Sequence, residues 1–219
     1  MVRVTVASLA IATLSLPAAW ACNRTAPEEF PTSTASAPVA KLSPPAAPEA
    51  SVRPADASRC MVPTPGAPPP PVAPGPAPGC PKDDEISPRK LPVVRVNFAG
   101  ADGGAGPSVE AEFARGEHDT RRGLMFRKSM PEEHGMLFDL DVRGTHDFWM
   151  HNTCIPLDLI YVDEDGFIVG IVENAPTLDD ESRGVGQCLS RYVLEMNAGW
   201  SRRHGVKASQ YMTVPQEAR

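Results

Sequence analysis

From Val93 onward the chain alternates apolar and polar positions in short runs. In "VVRVNF", Val94, Val96 and Phe98 fall on one side and Arg95 and Asn97 on the other; in "VEAEF", Val109, Ala111 and Phe113 oppose Glu110 and Glu112. A period of two is the strand signature. The Gly-rich "AGADGGAGPS" between these runs predicts a hairpin. Further β-rich runs follow, "GMLFDL", "HDFWM", "LDLIYV", "FIVGIVENA" and "RYVLEMNAG", each bounded by turn residues, and "DEDG" predicts a tight connection between Val162 and Phe167. Helical signals are few. Asp119 can cap a short helix in "DTRRGLMFRKSMPEE", Ser129 with Pro131 can start another turn, and "GWSRRHG" fits a short helix stopped by Gly205. About seven strands with one or two short helices predict an all-β domain with minor α content: a compact antiparallel β-sandwich or partly closed barrel.

Composition divides the chain. Residues 27–92 carry 19 of the 25 prolines and residues 93–219 carry 11 of the 13 aromatic residues, so the core-forming material lies in 93–219. Residues 22–92 read as a disordered tether. Proline removes donors and fixes φ, so "PTPGAPPPPVAPGPAPGCP" favours extended polyproline II rather than helix or ladder. The tether fits a spacer through a periplasm or cell wall, or a ligand for a proline-recognising module. From Val93 onward, 13 Lys+Arg face 20 Asp+Glu, a net of −7. An acidic domain without basic clusters argues against nucleic acid as a partner.

Residues 1–21, with Arg3, an apolar run and small residues ending in "AWA", read as a secretory signal peptide. Ordinary cleavage after Ala21 and lipid attachment to Cys22 are both open. The expected location is the bacterial periplasm or outer envelope, with membrane attachment if Cys22 is lipidated. Five cysteines leave an odd thiol in an oxidising compartment. With Cys22 lipidated, the other four can pair as Cys60–Cys80 within the linker and Cys154–Cys188 within the domain. No Cys-x-x-Cys or paired-His motif is present, so no metal and no cofactor are expected.

Candidate chemistry concentrates in "HDFWMHNTCIPLDLIYVDEDG". On a strand, His146, Phe148 and Met150 face one way and Asp147, Trp149 and His151 the other. His146 and His151 then diverge, which weakens a two-histidine metal site. Methionines 125, 130, 136, 150 and 196 could form a soft cuprous site but read better as core. Cys154 beside His151 could be a nucleophile, yet no Gly-rich elbow surrounds it and a disulfide would consume it. Asp163-x-Asp165-Gly166 lacks the remaining ligands of a calcium loop and reads as a plain turn. Asn152-Thr153 and Pro156 read as a turn leaving the strand. Asp158 then lies within the apolar "LDLIYV", and Glu195 and Asn197 within "YVLEMNAG". A carboxylate in such surroundings needs partners, or its pKa rises. The plain alternative is that these groups face solvent on an antiparallel sheet.

The blocks "RRGLMFRKSMPEEHGMLFDL", "FWMHNTCIPLDLIYVDEDGFIV" and "RYVLEMNAGWSRRHGV" resemble, in order, the signature blocks of a prokaryotic family known as domain of unknown function 192. The resemblance covers most of residues 93–212 and none of the linker. It implies a compact β-sandwich or barrel-like domain, often exported, and no established activity. The positions matching the blocks are Arg122, Gly123, Met125, Trp149, Met150, Asn152, Thr153, Pro156, Asp158, Glu195 and Asn197. The family usually has Lys at His151 and an aliphatic residue at Cys154, which makes a Cys154–Cys188 bond a local addition.

The leading expectation is a non-enzymatic, envelope-tethered module that binds a small ligand, glycan or envelope protein, with Asn152, Thr153, Asp158, Glu195, Asn197 and Arg122 as binding residues. The runner-up is a hydrolase or lyase using Asp158, Glu195 and His146 as its catalytic set. Trp149 and Met150 are expected to be structural, one packed in the main core and the other under the loop that precedes Arg191.

Overall fold

The structure, a computed structural model, describes residues 58–85, 89–100 and 103–216. All of them fall in one compact unit, Pro48–Arg219. The expected signal peptide, Cys22 and the tether up to residue 57 lie outside the described residues.

Ten elements follow the chain: β1 (Val93–Ala99), β2 (Ala105–Arg115), α1 (Gly116–Arg122), β3 (His134–Gly144), β4 (Asp147–Phe148), β5 (Leu157–Val162), β6 (Ile168–Ala175), β7 (Arg183–Gly184), β8 (Ser190–Asn197) and α2 (Trp200–Arg203). Six strands form one sheet in the order β1-β2-β3-β8-β5-β6, and β4 pairs with β7 in a separate ribbon. The sheet is mixed and sandwich-like, packed on both faces, and not a closed barrel. The expected hairpins are present: β1 with β2, and β5 with β6. The departure from a purely antiparallel sheet is β2 with β3, which run parallel from Glu110↔His134 to Arg115↔Asp139. A parallel neighbour needs a long crossover, and residues 116–133, with α1 at their start, supply it. The helix begins earlier than expected, so Asp119 sits inside it rather than capping it.

Alternation decides which face each side chain reaches. One face gathers Val96, Phe98, Leu137, Ile160, Leu194, Met196 and the α2 residue Trp200; the other gathers Leu124, Met136, Phe138, Met150, Leu157, Leu159, Tyr161 and Val193. Edge strand β1 buries only its alternate residues, whereas every residue of central strand β5 is buried. The β5–β6 turn needs Gly166. Its φ is 90°, and a Cβ there would lie 2.1 Å from the Met212 carbonyl oxygen.

Residues 58–85 correct the tether expectation: in this stretch the proline-rich chain is a strap fastened across the domain. Cys60 bonds Cys188 and Cys80 bonds Cys154, with Cα–Cα distances of 5.3 and 5.4 Å. The expected pairings Cys60–Cys80 and Cys154–Cys188 are therefore wrong. The physical reason is the backbone between them. Polyproline-like chain makes no internal hydrogen bonds, so its carbonyls are available to the domain. Arg202 donates to the carbonyls of Pro65, Gly66 and Ala67, and Asn174 to that of Pro70. Backbone bonds from Val62 N–H to Val169 O and from Ala77 N–H to Cys154 O complete the docking. Arg59 joins at the near end, pairing with Asp163 and Asp165 of the β5–β6 turn and covering the Phe167 ring at 4.2 Å. Arg143 also pairs with Asp163, so this acidic turn serves ion pairs.

Candidate functional site

The predicted catalytic set is dispersed. Asp158 on β5 shares a face with Ile160 and Val162, and Glu195 on β8 shares the opposite face with Val193. The two carboxylates are neighbours along the sheet, since Leu159 pairs with Glu195 and Asp158 with Met196, but the sheet lies between them. His146 is apart from both; its Nε2 lies 2.9 Å from the Val142 carbonyl oxygen beyond the regular part of β3.

Asp158 is a bracket. It is 0% exposed. Its Oδ1 accepts the backbone N–H groups of Asn174 and Gly199, both at 3.0 Å, and its Oδ2 accepts that of Ser201 at 2.9 Å. One carboxylate thus ties β5, the end of β6 and the start of α2. The sequence offered a solvent-facing alternative that depends on one side of the strand being wet. Central β5 is covered on both sides, so that alternative fails.

Asn197 also serves the scaffold, because its side-chain amide donates to the carbonyls of Met130 and Pro131. Asn152 holds a left-handed turn at φ 54°, and its carbonyl accepts the Phe126 N–H. Thr153 is buried, with its hydroxyl on the His151 carbonyl. These turn residues shape the loop.

Glu195 is different. It is 5% exposed, lies between Met136 and Leu159, and no hydrogen bond or ion pair to its carboxyl is found among the described residues. Burial pushes its carboxyl up to about 8, against a smaller opposing pull from Arg127. Arg127 is itself forked onto Glu112 at 2.5 and 2.6 Å. Tyr161 on the same face is raised well above the usual phenol range by burial first and by the Glu195 charge second, while its hydroxyl donates to the Arg183 carbonyl.

Trp149 corrects the core expectation. Strand β4 ends at Phe148, and the chain then turns, with Met150 N–H on the Asp179 carbonyl. Met150 points inward at 1% exposure, whereas Trp149 is 46% exposed and stacks on His151, ring centroids 4.9 Å apart. Around this pair lies a depression of about 330 Å³ lined by His118, Arg121, Arg122, Met125, Trp149 and His151. A second, of about 520 Å³, shares His118, Arg122 and Met125 and continues past Phe126 to Arg127, Glu112 and Met136. The two are ends of one groove running over α1. The Trp149 end is built from α1, the loop after it and the turn after β4, and the other end adds residues of the strap, β2 and β3.

Of the residues singled out by sequence, Arg122 alone among the binding candidates lines this groove. The tandem Arg121-Arg122 and the Met125 beside it are visible in the sequence, but nothing there says that α1 ends beside Trp149. His151, set aside because it diverges from His146, lies 2.6 Å from Asp180 through Nδ1. No group of three or more His, Cys, Asp or Glu that could hold a metal occurs among the described residues. No described helix is long and apolar enough to cross a membrane.

The profile of the family called domain of unknown function 192, described as "Uncharacterized ACR", matches residues 100–214. The chain belongs to this family. No curated protein matches it. Two crystal structures of bacterial family-sized domains are similar to it. One, a Sinorhizobium meliloti 1021 protein provisionally described as a transcription regulator, is 32% identical over 58% of this chain and 97% of its own, with a TM-score of 0.55. The other, a protein of unknown function from Novosphingobium aromaticivorans DSM 12444, is 33% identical over 57% of this chain and 86% of its own, with a TM-score of 0.53. The matched family region begins after the strap, so residues 58–85 are built onto the family domain from outside it.

Proposed function

We propose that this family 192 protein is an exported binding module whose groove over α1 takes a small ligand or glycan with a flat face and anionic groups. The observation that carries the reading is Trp149, a large ring held at the surface by a stacked histidine beside two arginines. A singly exposed ring needs no partner; what singles out Trp149 is that it lines a depression together with Met125 and two arginines. Stacking on the indole suits a flat or sugar face, and Arg121 and Arg122 suit carboxylates. Export is supported by the N-terminal sequence and by two disulfides, which form in oxidising compartments. Lipid on Cys22 belongs to the same proposal; palmitate labelling of wild type but not Cys22→Ser would support it. The hydrolase or lyase alternative has lost its set, since Asp158, Glu195 and His146 do not converge. A nucleic-acid-binding role has less support, because a domain with a net of −7 is poorly suited to a phosphate backbone. The test is a screen of acidic oligosaccharides and small carboxylates read by tryptophan fluorescence on the full chain. Saturable changes that vanish in Trp149→Phe support the reading; binding unaffected by that change contradicts it.

A further inference from the structure

The far side of the groove from Trp149 is already in contact with part of the protein itself. Beyond the Cys80–Cys154 bond the strap continues through Pro81 and Lys82 to Asp83, Asp84 and Glu85. Arg122 takes one carboxylate on each terminal nitrogen: Asp83 Oδ2 lies 2.5 Å from Nη2, and Glu85 Oε2 lies 2.7 Å from Nη1. The two acids are held as a pair, because the Glu85 N–H donates to Asp83 Oδ1 at 3.1 Å. Asp83 also lines the larger depression. We propose that the Arg122 end of the groove is a carboxylate subsite, that Asp83 and Glu85 fill it as an internal ligand, and that an acidic ligand enters by displacing them.

This rests on the groove being the binding surface and names the ligand chemistry: two carboxylates spaced as in an Asp-x-Glu segment. Three features support displacement over permanent structure. The side chains of Asp83 and Glu85 are 31% and 28% exposed, and that of Arg122 is 23% exposed. Ion pairs this accessible to water hold weakly on their own. Among the described residues, Arg122 is the one cation paired with either acid. By contrast, the other domain contacts of the strap do not involve Asp83 or Glu85 and remain when the acidic end leaves: the two disulfides, the backbone bonds at Val62 and Ala77, the Arg202 and Asn174 bonds to its carbonyls, and the Arg59 ion pairs. What holds the acids in place is proximity. The disulfide at Cys80 keeps them a few residues from Arg122, and a short tether gives an effective concentration on the order of millimolar. A free acidic ligand must compete with that.

The test uses the capped peptide Pro-Lys-Asp-Asp-Glu, residues 81–85, titrated into the full chain. Binding is read from the NMR signal of the Arg122 Nε–H and from the global affinity. Wild type is compared with Asp83→Asn/Glu85→Gln and with that pair plus Arg122→Gln. Asp141→Asn/Glu164→Gln removes two exposed charges elsewhere and controls for net charge. The expected result is at least about tenfold tighter binding to Asp83→Asn/Glu85→Gln than to wild type, as release from a tethered competitor predicts. The charge control should resemble wild type, and adding Arg122→Gln should abolish the gain. Equal affinity for wild type and Asp83→Asn/Glu85→Gln, a gain matched by the charge control, or binding that survives Arg122→Gln would each overturn the proposal. Should the double variant fold poorly, Glu85→Gln alone carries the same comparison. If a ligand from the fluorescence screen binds through Trp149 while the peptide series shows no difference, the subsite falls and the groove stands. If nothing binds at either end, both fall.

Discussion

Asp158 and Glu195 sit on adjacent central strands, both shut away from water, and the protein treats them oppositely. On the α2 side of the sheet, Asp158 is met by three backbone donors that would otherwise be unpaired at the end of β6 and the start of α2. On the α1 side, no such donors to the Glu195 carboxyl are found among the described residues, and Arg127, the cation that acts on it, is forked onto Glu112. A buried charge is tolerated when its hydrogen bonds are satisfied and otherwise takes up a proton. The α2 side therefore reads as scaffold. The α1 side keeps the features that scaffolds avoid: a buried carboxyl with no donor among the described residues, and an exposed tryptophan, two arginines and a groove.

The largest break in this comparison should come from Asp158→Asn. One amide oxygen can replace one carboxylate oxygen, but the amide nitrogen then faces a backbone N–H, leaving at least one donor orphaned. Urea unfolding should show a loss of about 2–4 kcal/mol. A loss of a few tenths would mean the three bonds contribute little and the bracket reading fails.

Glu195→Gln should act in the opposite direction. In the folded protein Glu195 keeps its proton up to about 8, whereas its ordinary value is 4.5. Its contribution to stability is then fully present below pH 4.5 and is lost as pH rises toward 8, because over that range the unfolded chain releases a proton that the folded chain retains. Glu195→Gln should remove this slope and raise stability at pH 8 by roughly 1–3 kcal/mol. Unfolding curves from pH 4 to 9 for both proteins check it. Parallel curves would place Glu195 in a solvated or paired setting and erase the contrast with Asp158.

The smallest stability effect is expected at Trp149. Truncating a buried tryptophan would cost several kcal/mol, but a ring that is 46% exposed and leans on His151 should cost less than about 1 kcal/mol when changed to alanine. Thermal and urea unfolding of Trp149→Ala decide it. A large loss would return Trp149 to the core and remove the observation on which the groove rests.

What could be read from sequence follows the range of the forces involved. Strands β1, β2, β5, β6 and β8 were legible because alternation and turn residues are local, and the family blocks located the domain. The pairing of β2 with β3 was not, because no local pattern reports a parallel crossover. Trp149 was misplaced although its face was correct: alternation put it opposite Met150, but which face is wet depends on where α1 ends. Asp158 showed as a polar residue in an apolar run, yet its donors come from Asn174, Gly199 and Ser201, far along the chain. The disulfides were mispaired for a related reason. Nearness in sequence joined Cys60 to Cys80, whereas the carbonyls of a proline-rich segment drew it onto the domain and brought each cysteine to a distant partner, 128 and 74 residues away.

The most direct test of the central claim is to map binding on the full chain by NMR, adding succinate, an oligogalacturonate and an acidic peptide in turn. The account predicts saturable shifts at the Trp149 indole N–H and at the Arg121 and Arg122 Nε–H groups, with the amides of Asn174, Gly199 and Ser201 around Asp158 unmoved. Shifts that cluster on those three amides while the groove stays silent would contradict it.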